Sequence, residues 1–224
     1  MGTIKSKSES EYIISKTDLF TIANSKGMPI RGVNSTQIAA ALSDLRLNDT
    51  SWDDLRFPVQ GINPPGNVSD PDLESATGMQ LFSSNSINTL AGVAQMPHKW
   101  KEGTTIQPHV HWQKTSSAAG NVLWRLDFEV VANGAVAAMD YGTSIDALTV
   151  ATGTPDTNTA NKCLISGFEP DIDMTDMKIS TLILWKLSRI GDDASDTYGG
   201  NARLLEFDIH YEIDSFGSNE PFTK

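Results

Sequence analysis

From Met79 to Ile213 the chain consists of short runs in which apolar and polar residues alternate, separated by segments rich in Gly, Asn, Asp, Ser and Thr. Alternation with period two sends successive side chains to opposite faces, so each run predicts a strand with one face turned to a core. The runs fall at 79–83, 87–95, 106–114, 122–132, 147–151, 163–167, 179–190 and 202–213. About eight such strands, with turn signals between them and almost no helical period, predict an all-β fold: an antiparallel β-sandwich. Its length favours jelly-roll over immunoglobulin-like connectivity. No internal repeat is evident.

Ahead of the strands the pattern is different. Asn34 can cap a helix, Gln37 takes the capping-box position, and Ile38, Ala41, Leu42 and Leu45 follow at helical spacing, which predicts one short helix of about three turns. Between Leu47 and Gly78 lie Pro58, Pro64, Pro65 and Pro71, a density that argues against a central strand. The apolar island WDDLRFPV interrupts this segment, and the whole reads as an extended arm laying Trp52, Leu55 and Phe57 across a surface. Two regions are therefore expected, an N-terminal arm with its helix and proline-rich segment over 1–78 and the sandwich over 79–224.

Composition narrows the function. The chain has 224 residues, enough to bury a core without disulfides or a structural metal. Its 28 acidic and 17 basic side chains give a formal charge of -11, which opposes direct binding to nucleic acid and keeps the subunit soluble. No run approaches the ~20 apolar residues of a membrane span, and MGTIKSKSESE lacks the apolar centre of a secretory signal, so synthesis and retention in the cytoplasm are expected. Cys163 is the single cysteine and belongs to no metal or disulfide spacing.

Candidate chemistry concentrates in two strands. In PHVHW, His109 and His111 share a face while Val110 and Trp112 point the other way, and two imidazoles side by side can ligate a metal. Gly103 stands six residues before His109, as in the first metal-binding motif of cupins, but Lys114, Thr115, Ser116 and Ser117 occupy the stretch where that motif has a glutamate. In LLEFDIHYEID, Glu206, Asp208, His210 and Glu212 share one face and Leu205, Phe207, Ile209, Tyr211 and Ile213 the other. If the two strands pair, His109, His111 and His210 can converge with carboxylates on a metal. Two-faced alternation alone also accounts for these residues, as a core face and a hydrogen-bonded polar face, and this simpler reading implies no cofactor. No nucleophile elbow, phosphate loop or dinucleotide fingerprint occurs, so no enzyme is expected. Trp112, Trp124 and Trp185 sit in strongly apolar strands and are core candidates, whereas Trp52 and Trp100 fall outside them and are candidate interface anchors or ligand platforms.

The segments SWDDLRFPVQG, AQMPHKWKEGTTIQPHVHW, NVLWRLDFEV, LILWKLSRIGDD and LLEFDIHYEIDSFGS resemble a family of mostly uncharacterised proteins encoded among the structural genes of tailed phages and prophages. The resemblance spans roughly residues 50–218 and implies a non-catalytic virion component. Capsid decoration, neck or collar, and tail attachment are the positions it allows. The expected role is filled by self-assembly into a homo-oligomer, most simply a trimer, partnered by capsid, portal or tail proteins. Two rivals stay open. A receptor- or glycan-binding module at a tail or fibre tip requires exposed aromatics gathered in a cleft, and a cupin-like metal enzyme requires a third ligand beside His109 and His111.

Overall fold

The computed structural model describes residues 2–5, 11–14, 20–23, 29–32, 51–62, 64, 66–137, 140–151, 159–221 and 223–224. The chain forms two compact units, Met1–Asn48 and Asp49–Lys224. The first holds two antiparallel pairs, β1 (Gly2–Lys5) with β2 (Glu11–Ile14) and β3 (Phe20–Ala23) with β4 (Pro29–Gly32). The helix expected over 34–45 lies outside the described residues. Among the described residues no helix is long and apolar enough to cross a membrane.

The second unit contains β5 (Ser51–Pro58), β6 (Asp72–Glu74), β7 (Met79–Phe82), β8 (Ile87–Gln95), β9 (Ile106–Lys114), β10 (Gly120–Val131), β11 (Thr143–Ala151), β12 (Cys163–Gly167), β13 (Leu182–Ile190) and β14 (Ala202–Ile213). Their antiparallel pairings are nested, with β7 on β14, β8 on β13, β9 on β12 and β10 on β11. One long hairpin rolled over on itself gives this pattern, and it defines a jelly roll. The roll makes two sheets, ordered β11-β10-β13-β8 and β12-β9-β14-β7-β6, and β5 also pairs with β14 in the second.

The core between the sheets is aromatic. Trp185 of one sheet meets Phe57 and Phe207 of the other at ring-centroid distances of 5.4 and 4.8 Å. Trp124 likewise meets Trp112 at 6.2 Å and Phe82 at 5.1 Å. Gly92 makes room for this packing, because a Cβ there would come within 2.4 Å of the Trp185 ring. Trp112, Trp124 and Trp185 are buried, as their apolar strands predict.

The boundary between the expected arm and the sandwich needs correction. Residues 51–58 form no arm; β5 pairs with β14 from Ser51↔Ile213 to Pro58↔Glu206. Leu55 and Phe57 turn inward and pack on the core, so they are unavailable as intersubunit anchors, while Trp52 faces outward. Proline permits this because β5 has a strand partner on one side only and Pro58 is its last residue. Trp100 is also corrected from interface anchor to core: it is fully buried, bridges to Ile213, and donates its indole N–H to Thr104 Oγ1 at 3.1 Å. With Trp100 inside, only Trp52 of the two candidate platform tryptophans faces outward.

Candidate functional site

β9 and β14 do pair, with Asp208 opposite His109 and Glu206 opposite His111. On β9, Ile106, Val110 and Trp112 enter the core and His109 and His111 project outward, so the histidine face is the outer face of the second sheet. The face parity of β14 holds only in part. Its register shifts between Leu204 and Glu206, a bulge at Leu205 that reverses the alternation. Ala202 and Leu204 point into the core before the bulge; Phe207, Ile209 and Tyr211 do so after it. Leu205 is therefore off the core face on which alternation alone placed it. The bulge leaves Glu206, Asp208 and His210 beside the histidines of β9.

Asp208 Oδ2 lies 3.2 Å from His111 Nε2 and 3.6 Å from His109 Nε2, and the imidazoles of His109 and His111 are 5.1 Å apart between ring centroids. The Asp208 carboxylate is 4% exposed although it stands on the outer face, because the two imidazoles and the neighbouring strands roof it over. Its Oδ1 has no hydrogen-bond partner among the described residues. Burial, and next the charge of Glu206, push its pKa up to about 6. Glu206 itself pairs with Arg56 at 2.6 Å.

His210 stands edge-on to His109, with ring centroids 6.3 Å apart, but its Nδ1 is committed to another partner. Its Nδ1 contacts Asp54 Oδ1 at 2.6 Å, and Trp52 stacks on its ring at 4.8 Å with planes 8° apart. His109, His111 and Asp208 form a group of possible ligands whose donor atoms all lie within 4.8 Å of one another, and His210 is not in it. Of the expected histidines and carboxylates, the group thus holds His109, His111 and one carboxylate of β14, without His210. A cleft of about 430 Å³ opens over the group, lined among others by Asp54, Gln107, Glu169, Asp171 and His210. Sequence reasoning passed over Asp54 and Arg56 because it treated their strand as an arm, although Asp53, Leu55 and Phe57 already alternated with Trp52, Asp54 and Arg56 in the sequence.

No family model and no curated protein matches the chain. Among solved structures it is similar to dimeric latent PorU from Porphyromonas gingivalis, with 11% identity and a TM-score of 0.35 over 88% of this chain and 18% of that one. A second similarity is to infectious bursal disease virus Gx strain, at 13% identity and a TM-score of 0.34 over 89% of this chain and 37% of that one. A third is to desmodium yellow mottle tymovirus, at 9% identity and a TM-score of 0.25 over 78% of this chain and 94% of that one. The chain thus spans well under two thirds of the first two. Likeness at this level carries no argument, and the jelly roll rests on the strand pairing described above.

Proposed function

We propose that the chain is a non-catalytic structural subunit of a tailed-bacteriophage particle. In this reading it assembles with copies of itself, most simply as a trimer, and docks on capsid, portal or tail proteins at a decoration, neck or tail-attachment position. The observation that supports it most is the edge strand β8. Its nine residues, INTLAGVAQ, contain no charge and no proline, the devices that usually blunt an edge. Thr89 N–H is covered by a bond to Ser69 O at 2.7 Å, but among the described residues no strand pairs along the outer side of β8. Val93, on this strand, is 54% exposed. A strand from a neighbouring copy laid there would satisfy the free backbone groups and cover Val93. The acidic balance, and the resemblance of the chain from residue 50 onward to phage structural proteins, agree with such a role.

The test has two arms. The subunit should co-purify with phage particles at a fixed copy number, and the isolated protein should be oligomeric by light scattering. Val93→Lys should shift it toward monomer while leaving its circular dichroism unchanged. Absence from purified particles, or a wild-type protein that stays monomeric at ~10 μM or above, a concentration at which a micromolar association would register, would overturn the reading.

A further inference from the structure

We propose that His109 Nε2, His111 Nε2 and Asp208 Oδ2 hold a divalent transition-metal ion, best matched by Zn2+, on the outer face of the second sheet, with its remaining coordination open to the cleft. This site is independent of the assembly role.

The geometry is close to that of a bound ion. Ligand distances of about 2.0–2.2 Å in a tetrahedron place neighbouring donors about 3.4 Å apart. The two Asp208 contacts, at 3.2 and 3.6 Å, bracket that length, and no pair in the set exceeds 4.8 Å. The donors come from two strands in fixed register, so the scaffold holds them without loop movement. His109 Nδ1 lies 3.4 Å from the carbonyl of Gln107; when Nδ1 carries the proton toward that oxygen, Nε2 presents its lone pair to the ion.

A second observation points to a cation. Asp208 is more than nine-tenths buried, and among the described residues its Oδ1 has no partner. An uncompensated buried carboxylate is costly, and an ion at Oδ2 would supply the missing charge. The cleft above adds Asp54, Glu169 and Asp171, so its field favours a cation as well. Two histidines and one carboxylate are nitrogen and oxygen donors suited to zinc, and three protein ligands leave a position for water or an incoming donor.

The test uses full-length protein purified without a metal-affinity step and stripped with a chelator. Titration with ZnCl2 by calorimetry should give one ion per chain, CoCl2 should develop the visible absorption of a tetrahedral site, and saturating Zn2+ should raise the melting temperature. His111→Gln removes a ligand whose side chain is one-third exposed, so the fold should survive. It should weaken Zn2+ binding by more than the ~10–100-fold typical of losing an outer-shell partner. Asp208→Asn should do the same; if that variant fails to fold, His111→Gln carries the test. His210→Gln, and His98→Gln at a histidine whose Nδ1 lies 2.9 Å from the Ser218 carbonyl and outside the ligand group, should bind as the wild type does. Substoichiometric binding by wild type, unaltered binding by His111→Gln, or an equal loss in either control would overturn the site.

Discussion

Arg189→Met is expected to remove about 3–5 kcal/mol or more of stability. Arg189 is fully buried, and all of its donors are used. Nε and Nη2 bond to the two oxygens of Asp196 at 2.9 and 2.7 Å. Nη1 reaches the carbonyls of Phe82 and Gly200 at 3.0 and 2.8 Å, and Nη2 reaches that of Tyr198 at 2.7 Å. Methionine keeps much of the apolar stem but leaves Asp196 as a buried carboxylate with only the Leu123 N–H at 2.9 Å. Breaking a buried pair from one side costs about 3–5 kcal/mol, and each carbonyl left without a donor adds up to about 1–3 kcal/mol unless water reaches it. The double change Arg189→Met with Asp196→Leu separates these contributions. An isolated buried pair replaced by apolar residues is often neutral or stabilising. Here three carbonyls and one N–H would still lose their side-chain partners, so the double variant should stay at least ~2 kcal/mol below wild type. Urea unfolding followed by tryptophan fluorescence measures both. A single variant within about 1 kcal/mol of wild type, a typical surface-mutation scale, or a double variant as stable as wild type would refute this account of how the 191–201 segment is tied to the start of β14.

The remaining predictions concern Asp208 and the tryptophans. In metal-free protein at pH 8, Asp208→Asn should be more stable than wild type by about 3 kcal/mol, because the carboxyl is pushed up to about 6 from 3.8 and each unit is worth about 1.4 kcal/mol. The folded state binds this proton more tightly than the unfolded one, so the penalty is complete above about pH 6 and gone below about pH 4. The variant's advantage should therefore vanish on acidification through that window, and an advantage that is flat or grows would refute the cause given. Trp185→Ala should cost about 3–5 kcal/mol in a thermal or urea melt, since the buried ring packs against both Phe57 and Phe207. Trp52→Ala, at a residue 39% exposed and resting on His210, should cost under about 1 kcal/mol; the opposite ranking would refute the placement of both.

Local alternation carried most of the strands. The runs read over 87–95, 106–114, 163–167 and 202–213 coincide with β8, β9, β12 and β14. The run read as 179–190 begins later, at Leu182, because Asp176 and Ser180 adopt positive φ of 67° and 63° and hold a turn where apolar character alone suggested strand. The short polar strand β6 gave no apolar signal to find. The nested pairing was legible only as a class, since partners such as Phe82 and Ala202 lie far apart in the chain and alternation says nothing about which strands meet.

The site shows where period-two reasoning works and where it stops. It put His109 and His111 on one face and Asp208 and His210 on another, and the β9–β14 register then brought those faces together. It could not anticipate that β14 is flanked on both sides along this stretch, by β9 and by β5. That flanking turns a nominally solvent-facing aspartate into a buried one. β5 also supplies Asp54, which takes up His210 Nδ1 and leaves the His210 ring edge-on to His109 at 6.3 Å but outside the ligand group. Reading one proline-ended strand as an arm thus hid the wall of the site. The expected meeting of the β9 histidines with carboxylates of β14 is narrowed to one carboxylate, Asp208, with His210 left outside the group; two imidazoles and a buried carboxylate place a negative charge that a cation can neutralise.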